Sequence, residues 1–395
     1  MGLASQIYNN LVKVKEKELK NLYSDLYPDN GISGIYKEGE GRSLKGELIG
    51  TYVLSYYPEK ILTTATGESH MFGNDMITNF KNLGKVCNKR TYLISSGSGQ
   101  SEIPLENLKN IVDGLSDDEL AINLITANPD SEIGYIVKSH PKGNIIYLKG
   151  RDYEDSKDLE YTEEGIFEDK FELALTRMLS IVSKGIMDEV KPNDFYKFYK
   201  EELNLLKKTE SRIKELKKDE MYGNYIRDLK NLKKTHYLCG ESVSNDVAKM
   251  SGIRVNHVRR YIARQVLGEI GLELSPYLAG AWQNYVIGES DVPDMDENSL
   301  FVGVSRHGAS PKVKKWSKEA GRVGATKYLL TANDKSKIEY ENMFVLGVDD
   351  FYFYSDASIF LSETLTDLMK KFIKEGHTVD KANLNSVHVS DKIKK

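Results

Sequence analysis

Apolar residues Ile7, Leu11, Val14, Leu19, Leu22 and Leu26 recur at helical spacing, and Pro28-Asp29-Asn30-Gly31 follows with the composition of a turn. Residues 4–26 are therefore expected to be helical. A charge-rich loop holding Gly31, Gly34, Gly39 and Gly41 is expected next, then a helix over 44–57 that Pro58 ends. From Ile61 short apolar runs alternate with amphipathic stretches, the pattern of βαβ units. Strands are expected at 61–65, 91–95, 122–126 and 145–148. Helices are expected near 70–82, within 102–112, and after the capping turn Asn128-Pro129-Asp130-Ser131. Phe167, Phe171, Leu175, Met178, Leu179 and Val182 define one more apolar helical face over 167–185. In 194–234 acids and bases mix evenly, which predicts solvated connecting helices and not a basic nucleic-acid arm.

The order then returns. Tyr237-Leu238-Cys239-Gly240-Glu241-Ser242 reads as a second copy of the strand and Gly67-Glu68-Ser69 turn. Phe301-Val302-Gly303-Val304-Ser305-Arg306-His307-Gly308-Ala309-Ser310 matches Tyr92-Leu93-Ile94-Ser95-Ser96-Gly97-Ser98-Gly99-Gln100-Ser101, and Thr331-Ala332-Asn333 with Ser336 matches Thr126-Ala127-Asn128 with Ser131. Three signatures in one order mark a tandem duplication. Between its Gly-Glu-Ser turn and its serine loop the second copy is longer, with room for an extra helix and strand, and so is expected to be the fuller domain. A long amphipathic segment from Val243 to Glu269 occupies that room, followed by Leu272-Glu273-Leu274-Ser275-Pro276-Tyr277.

Composition narrows the class. With 395 residues, 40% hydrophobic, the chain is long enough for two full cores. No apolar run approaches twenty residues and residues 1–27 lack a charged-then-apolar leader, so a cytoplasmic protein with no membrane partner is expected. A net charge of −4 gives no general attraction to nucleic acid. Cys87 and Cys239 are too few for a disulfide framework, and no histidine pair has metal-ligand spacing, so no metal is expected.

A loop rich in glycine and hydroxyls, between a buried strand and a helix, offers main-chain N–H groups and the positive helix end to an anion. Ser96, Ser98, Gly99, Gln100 and Ser101 are the candidate phosphate cradle, with Thr126, Glu68 and Ser69 at adjacent strand ends; Ser305, His307 and Ser310 form the altered second copy. An imidazole at His307 donates one hydrogen bond when neutral and adds charge when protonated, so the second loop is shaped differently for an anion.

Ser96-Gly97-Ser98-Gly99-Gln100-Ser101 after a buried strand, its altered copy at Ser305–Ser310, and the Thr126–Ser131 turn resemble the SIS (sugar isomerase) family of phosphosugar-binding proteins. The resemblance covers roughly residues 46–190 and 235–375. It implies an α/β protein with two tandem flavodoxin-like three-layer domains, each a parallel sheet with helices on both faces. The expected layout is an N-terminal helical arm (1–45), a first domain (46–190), connecting helices (191–234), a second domain (235–375) and a tail (376–395). The resemblance further implies that the serine loop holds the phosphate of a sugar phosphate, that no organic cofactor is needed, and that the protein is a homodimer. It carries a base to Glu269, in Leu267-Gly268-Glu269-Ile270-Gly271 ahead of Tyr277-Leu278-Ala279-Gly280.

Aldose–ketose isomerisation needs a base beside the carbonyl and a group that opens the ring. The family's ring-opening histidine would fall near Asn284, and its C-terminal lysine near Ser386, and this chain has neither. His70 and His257, near strand ends, are the candidate substitute acids. Glu68 and Glu241, after strands read as equivalent, either face the ligand crevice or cap the next helix. The expected function is binding of a phosphorylated sugar or amino sugar with isomerisation, deamination or deglycation by proton transfer. The missing His and Lys make a non-catalytic sugar-phosphate sensor the alternative.

Overall fold

A computed structural model of the chain describes residues 2–29, 31–66, 81–82, 84–115, 120–150, 169–278, 284–288 and 294–375. These residues divide into two compact units. One comprises residues 3–150 and 169–207, the other residues 208–375. Each is built on a five-stranded, wholly parallel sheet flanked by helices.

In the first unit α1 (Leu3–Leu11) and α2 (Glu16–Leu26) replace the single predicted helix, the break falling at residues 12–15. Next comes β1 (Ser33–Gly39), then α3 (Gly41–Thr51) with a 3-10 turn at Tyr52–Tyr56, and β2 (Ile61–Thr66). Then come β3 (Lys89–Ser95), α4 (Glu102–Gly114), β4 (Ala121–Thr126), α5 (Glu132–Ser139), β5 (Gly143–Tyr147) and α6 (Asp169–Met187). The sheet order is β2-β1-β3-β4-β5. Tyr92, Ile94, Ile122 and Leu124 of the sheet pack on Leu108 and Ile111 of α4 and Ile133 and Val137 of α5, each large side chain contributing roughly 1.5–3 kcal/mol on burial.

β1 corrects the expected loop at 31–41. All seven of its residues are buried and it lies inside the sheet between β2 and β3. Its two charged side chains are matched by distant polar partners. Lys37 Nζ donates to Thr51 Oγ1 at 3.1 Å, and Glu38 Oε2 accepts from Asn107 Nδ2 at 3.2 Å and from Tyr92 Oη at 3.4 Å.

The helices α7 (Phe195–Leu203), α8 (Leu205–Leu216) and α9 (Glu220–Lys230) follow, and the units divide within α8. The second unit continues with β6 (Thr235–Cys239), α10 (Val243–Leu278), β7 (Asn284–Val286), β8 (Ser299–Val304), α11 (Pro311–Arg322), β9 (Thr326–Thr331), β10 (Asn342–Val345) and α12 (Phe353–Lys374). Its order is β10-β9-β8-β6-β7. The extra helix and strand are there, as α10 and β7.

Superimposing the two orders pairs β1 with β6, β2 with β7, β3 with β8, β4 with β9 and β5 with β10. The expected pairing of Gly67-Glu68-Ser69 with Gly240-Glu241-Ser242 is thereby corrected, because β6 corresponds to β1 and not to β2. The counterpart of Gly240-Glu241-Ser242 is Gly39-Glu40-Gly41, and the backbone agrees: Gly41 and Ser242 both have φ of +55°. The second domain is not the fuller one, since the matching strand and helix of the first lie upstream, at β1 and α3.

Candidate functional site

The first serine loop joins β3 to α4 at the carboxyl edge of its sheet, where ligands of open α/β folds bind. Gly99 carries the turn with φ of +64°, and a Cβ there would lie 2.1 Å from Ser131 Oγ and 3.0 Å from Asn128 O. Only a glycine allows both the turn and that approach. Ser131 caps α5 by accepting from Gly134 N at 3.1 Å. The Thr126–Ser131 turn thus forms the wall behind the loop, and it is tied there by Ala127 N donating to Gly97 O at 3.2 Å.

The hydroxyls divide by role. Ser96 is buried; its Oγ accepts from Gly99 N at 3.1 Å and lies 3.1 Å from Ser101 Oγ, so it braces the loop from within. Ser98 and Ser101 are half-buried and Gln100 is exposed, with Gln100 N donating to Ser98 Oγ at 3.2 Å. Ser101 is the N-cap residue of α4, yet its side chain accepts no bond from the helix. The N3 residue of α4 is Pro104, which has no N–H for Ser101 to cap, so the opening donors are the amides of Glu102 and Ile103, which an acceptor from solution can meet.

The second loop has the same frame. Gly308 has φ of +58°, a Cβ on it would lie 2.4 Å from Ser336 Oγ, and Ser305 Oγ accepts from Ala309 N at 3.2 Å and Ser310 N at 3.3 Å. Its mouth differs. Ser310 caps α11 by accepting from Val313 N at 3.3 Å, while its own hydroxyl donates to Glu241 Oε2 at 2.5 Å. Lys312 N reaches the same oxygen at 3.4 Å. Arg306 Nε donates to His307 Nε2 at 2.9 Å and lies 3.7 Å from Asp350 Oδ2, and His307 Nδ1 lies 3.8 Å from Asp350 Oδ1. His307 is more than half exposed and is held among its neighbours as a loop residue.

Two further groups lie at these strand ends. Glu47 of α3 is fully buried, with the Ser95 hydroxyl and Lys37 near its carboxylate but no hydrogen bond of normal geometry to either oxygen. Burial pushes its carboxyl well above the usual range, more strongly than the Ser95 hydroxyl and Lys37 pull it down, and Glu38 adds to the rise. Sequence reading missed Glu47, since a single glutamate on a glycine-containing helix gives no signal of burial. Cys239, at the end of β6, is buried and its thiol is pushed up to about 12, first by burial, so it is not a poised nucleophile.

Of the candidate acids and base, His257 and Glu269 lie on α10 within the described residues. Glu68, Ser69 and His70 lie outside the described residues. His257 follows Asn256, whose side chain pairs with the backbone of Asn284 at the start of β7. That is the amino edge of the second sheet, opposite Ser305–Ser310. Glu269 lies 26 positions beyond Val243 on α10 (269 − 243), roughly 39 Å along a straight helix. Within its own unit it is therefore carried away from the loop edge. Asn284, where the family histidine would fall, is buried in a structural network with His236 Nδ1 and the carbonyl of Gly252. Burial, followed by Arg259, lowers the His236 imidazole to about 3, and its Nε2 has no partner.

No protein-family model and no curated protein matches the sequence. Solved structures do match. The chain is similar to the C-terminal domain of glucosamine-fructose-6-phosphate aminotransferase from Francisella tularensis, with a TM-score of 0.55 at 14% identity over 95% of this chain and 94% of that one. It is similar also to tagatose-6-phosphate ketose/aldose isomerase from Escherichia coli, with a TM-score of 0.59 at 11% identity over 96% and 92%. Among the described residues no helix is long and apolar enough to cross a membrane. The chain thus has the tandem parallel-sheet fold of these phosphosugar proteins, which is the fold that the serine-loop resemblance implies.

Proposed function

We propose that the chain binds a phosphorylated sugar or amino sugar, with the phosphate held at Ser98–Ser101 by two half-buried hydroxyls and the opening amides of α4. The observation that carries this reading is the contrast at the helix entrance: Ser101 gives α4 no side-chain cap, while Ser310 caps α11 and is itself held by a carboxylate. Gly99, pressed against Ser131, keeps the loop in the shape that exposes those groups. The solved structures that share the fold include a tagatose-6-phosphate ketose/aldose isomerase, which supports a sugar phosphate as ligand and proton transfer between neighbouring carbons as the chemistry. Glu269 is the proposed base, and a homodimer is the proposed assembly.

The sensor reading is favoured by one specific observation: Asn284 is buried in a structural network at the position where a ring-opening histidine is expected. Incubation with fructose, glucose and glucosamine 6-phosphates in deuterated water separates the two. Deuterium on the carbon next to the carbonyl, lost in Glu269→Gln, establishes turnover with that base. Binding without exchange establishes the sensor. Ser98→Trp abolishes the thermal stabilisation given by these ligands, and an unchanged melting shift overturns the cradle.

A further inference from the structure

We infer that Glu241 is the residue that confines phosphate to the first loop, by lodging its own carboxylate in the mouth of the second. The inference deepens the phosphate-cradle reading and rests on it for the identity of the anion.

The second loop keeps the parts of the first. It has the left-handed glycine, the buried bracing serine and a helix entered through a serine. It is also the more cationic of the two, because Arg306 and Lys312 stand where the first loop has Gly97 and Ile103. Two carboxylates brought from other segments answer this charge. Asp350 lies beside Arg306 and His307, and Glu241 Oε2 takes the Ser310 hydroxyl at 2.5 Å and approaches Lys312 N at 3.4 Å. A hydroxyl and a helix-opening amide converging on one oxygen are the contacts that a phosphate oxygen would make. The place is held by a chain carboxylate.

Ser242 has φ of +55°, a conformation glycine adopts freely and serine adopts at a cost, and it holds Glu241 at the sheet edge. The first copy has the same turn as Gly39-Glu40-Gly41, and Glu40 there is exposed while Ser101 pairs with Ser96. The turn is shared by both copies, and in the second its carboxylate closes the loop. A tethered carboxylate competes at a high effective concentration, so free phosphate does not displace it.

The test counts sites on the full chain by calorimetric titration with inorganic phosphate and with fructose 6-phosphate. The wild type binds one anion per chain, and Ser98→Trp binds none. Glu241→Ala and Glu241→Gln bind two, and each combined with Ser98→Trp retains one. Glu241→Gln keeps the shape of the side chain and carries the test should Glu241→Ala fail to fold. If the Glu241 variants still bind one anion and the combined variants none, the inference is overturned while the first cradle stands. If Ser98→Trp leaves wild-type binding intact, the first-cradle reading falls, and the gain of one site in the Glu241 variants still decides the role of Glu241.

Discussion

Gly99 and Glu47 show how much single residues decide near the first loop. A methyl on Gly99 meets Ser131 Oγ at 2.1 Å in a backbone conformation that L-residues rarely adopt. Gly99→Ala is expected to cost about 1–3 kcal/mol in chemical denaturation and to remove phosphate-dependent stabilisation along with it. Glu47 has no hydrogen bond of normal geometry to either oxygen, and burial raises its carboxyl, so the folded chain holds a proton there that the unfolded chain releases at lower pH. Its contribution is full below the unfolded value of about 4.5 and is lost as pH rises through the folded value. Glu47→Gln should therefore stabilise the protein at pH 8 more than at pH 5, and equal shifts at both would count against a protonated Glu47. Neither effect follows from residue type. The loop glycine was legible because Ser-x-Ser-Gly-x-Ser is a local motif, whereas the burial of Glu47 depends on what packs over α3.

At the scale of elements, capping and strand order decide the site. Ser131 both caps α5 and backs Gly99. Ser131→Ala is expected to cost about 1 kcal/mol from the lost cap and to weaken phosphate binding without touching the ligand, as titration would show. In the second unit His236 of β6, Asn284 of β7 and Gly252 of α10 form one buried network. The imidazole takes a proton near 6.5 when unfolded and near 3 when folded, so the unfolded chain binds more protons between those values. That stability is complete above about 6.5 and lost as pH falls toward 3. Denaturation midpoints followed from pH 7 to 4 should fall less steeply in His236→Gln than in the wild type. The strands β3, β4 and β8 were readable from apolar runs, and β1 was not. Lys37, Glu38 and two glycines disguise a buried strand whose charged side chains hydrogen-bond with Thr51, Asn107 and Tyr92, residues 14 to 69 positions away.

At the scale of the whole molecule the duplication yields two sheets of one design with unequal loop edges. Hydrogen exchange with and without a sugar phosphate should show this asymmetry. Protection is expected to rise at the amides around 98–103 and to stay unchanged around 307–312, and a matching rise at both would contradict the closed second loop. The tandem plan, the parallel α/β class and both serine loops could be read from the chain, because periodic apolar runs and glycine-hydroxyl turns are local signals. Which Gly-Glu turn matches Gly240-Glu241-Ser242 could not, since Gly67-Glu68-Ser69 is the better match in letters and Gly39-Glu40-Gly41 the true one in strand order. The carboxylate in the second loop is likewise invisible along the chain, because Glu241 and Ser310 are 69 positions apart and meet only when β6 pairs with β8. Local chemistry is written in neighbouring residues, but whether a loop stands open depends on which distant strand end folding brings beside it.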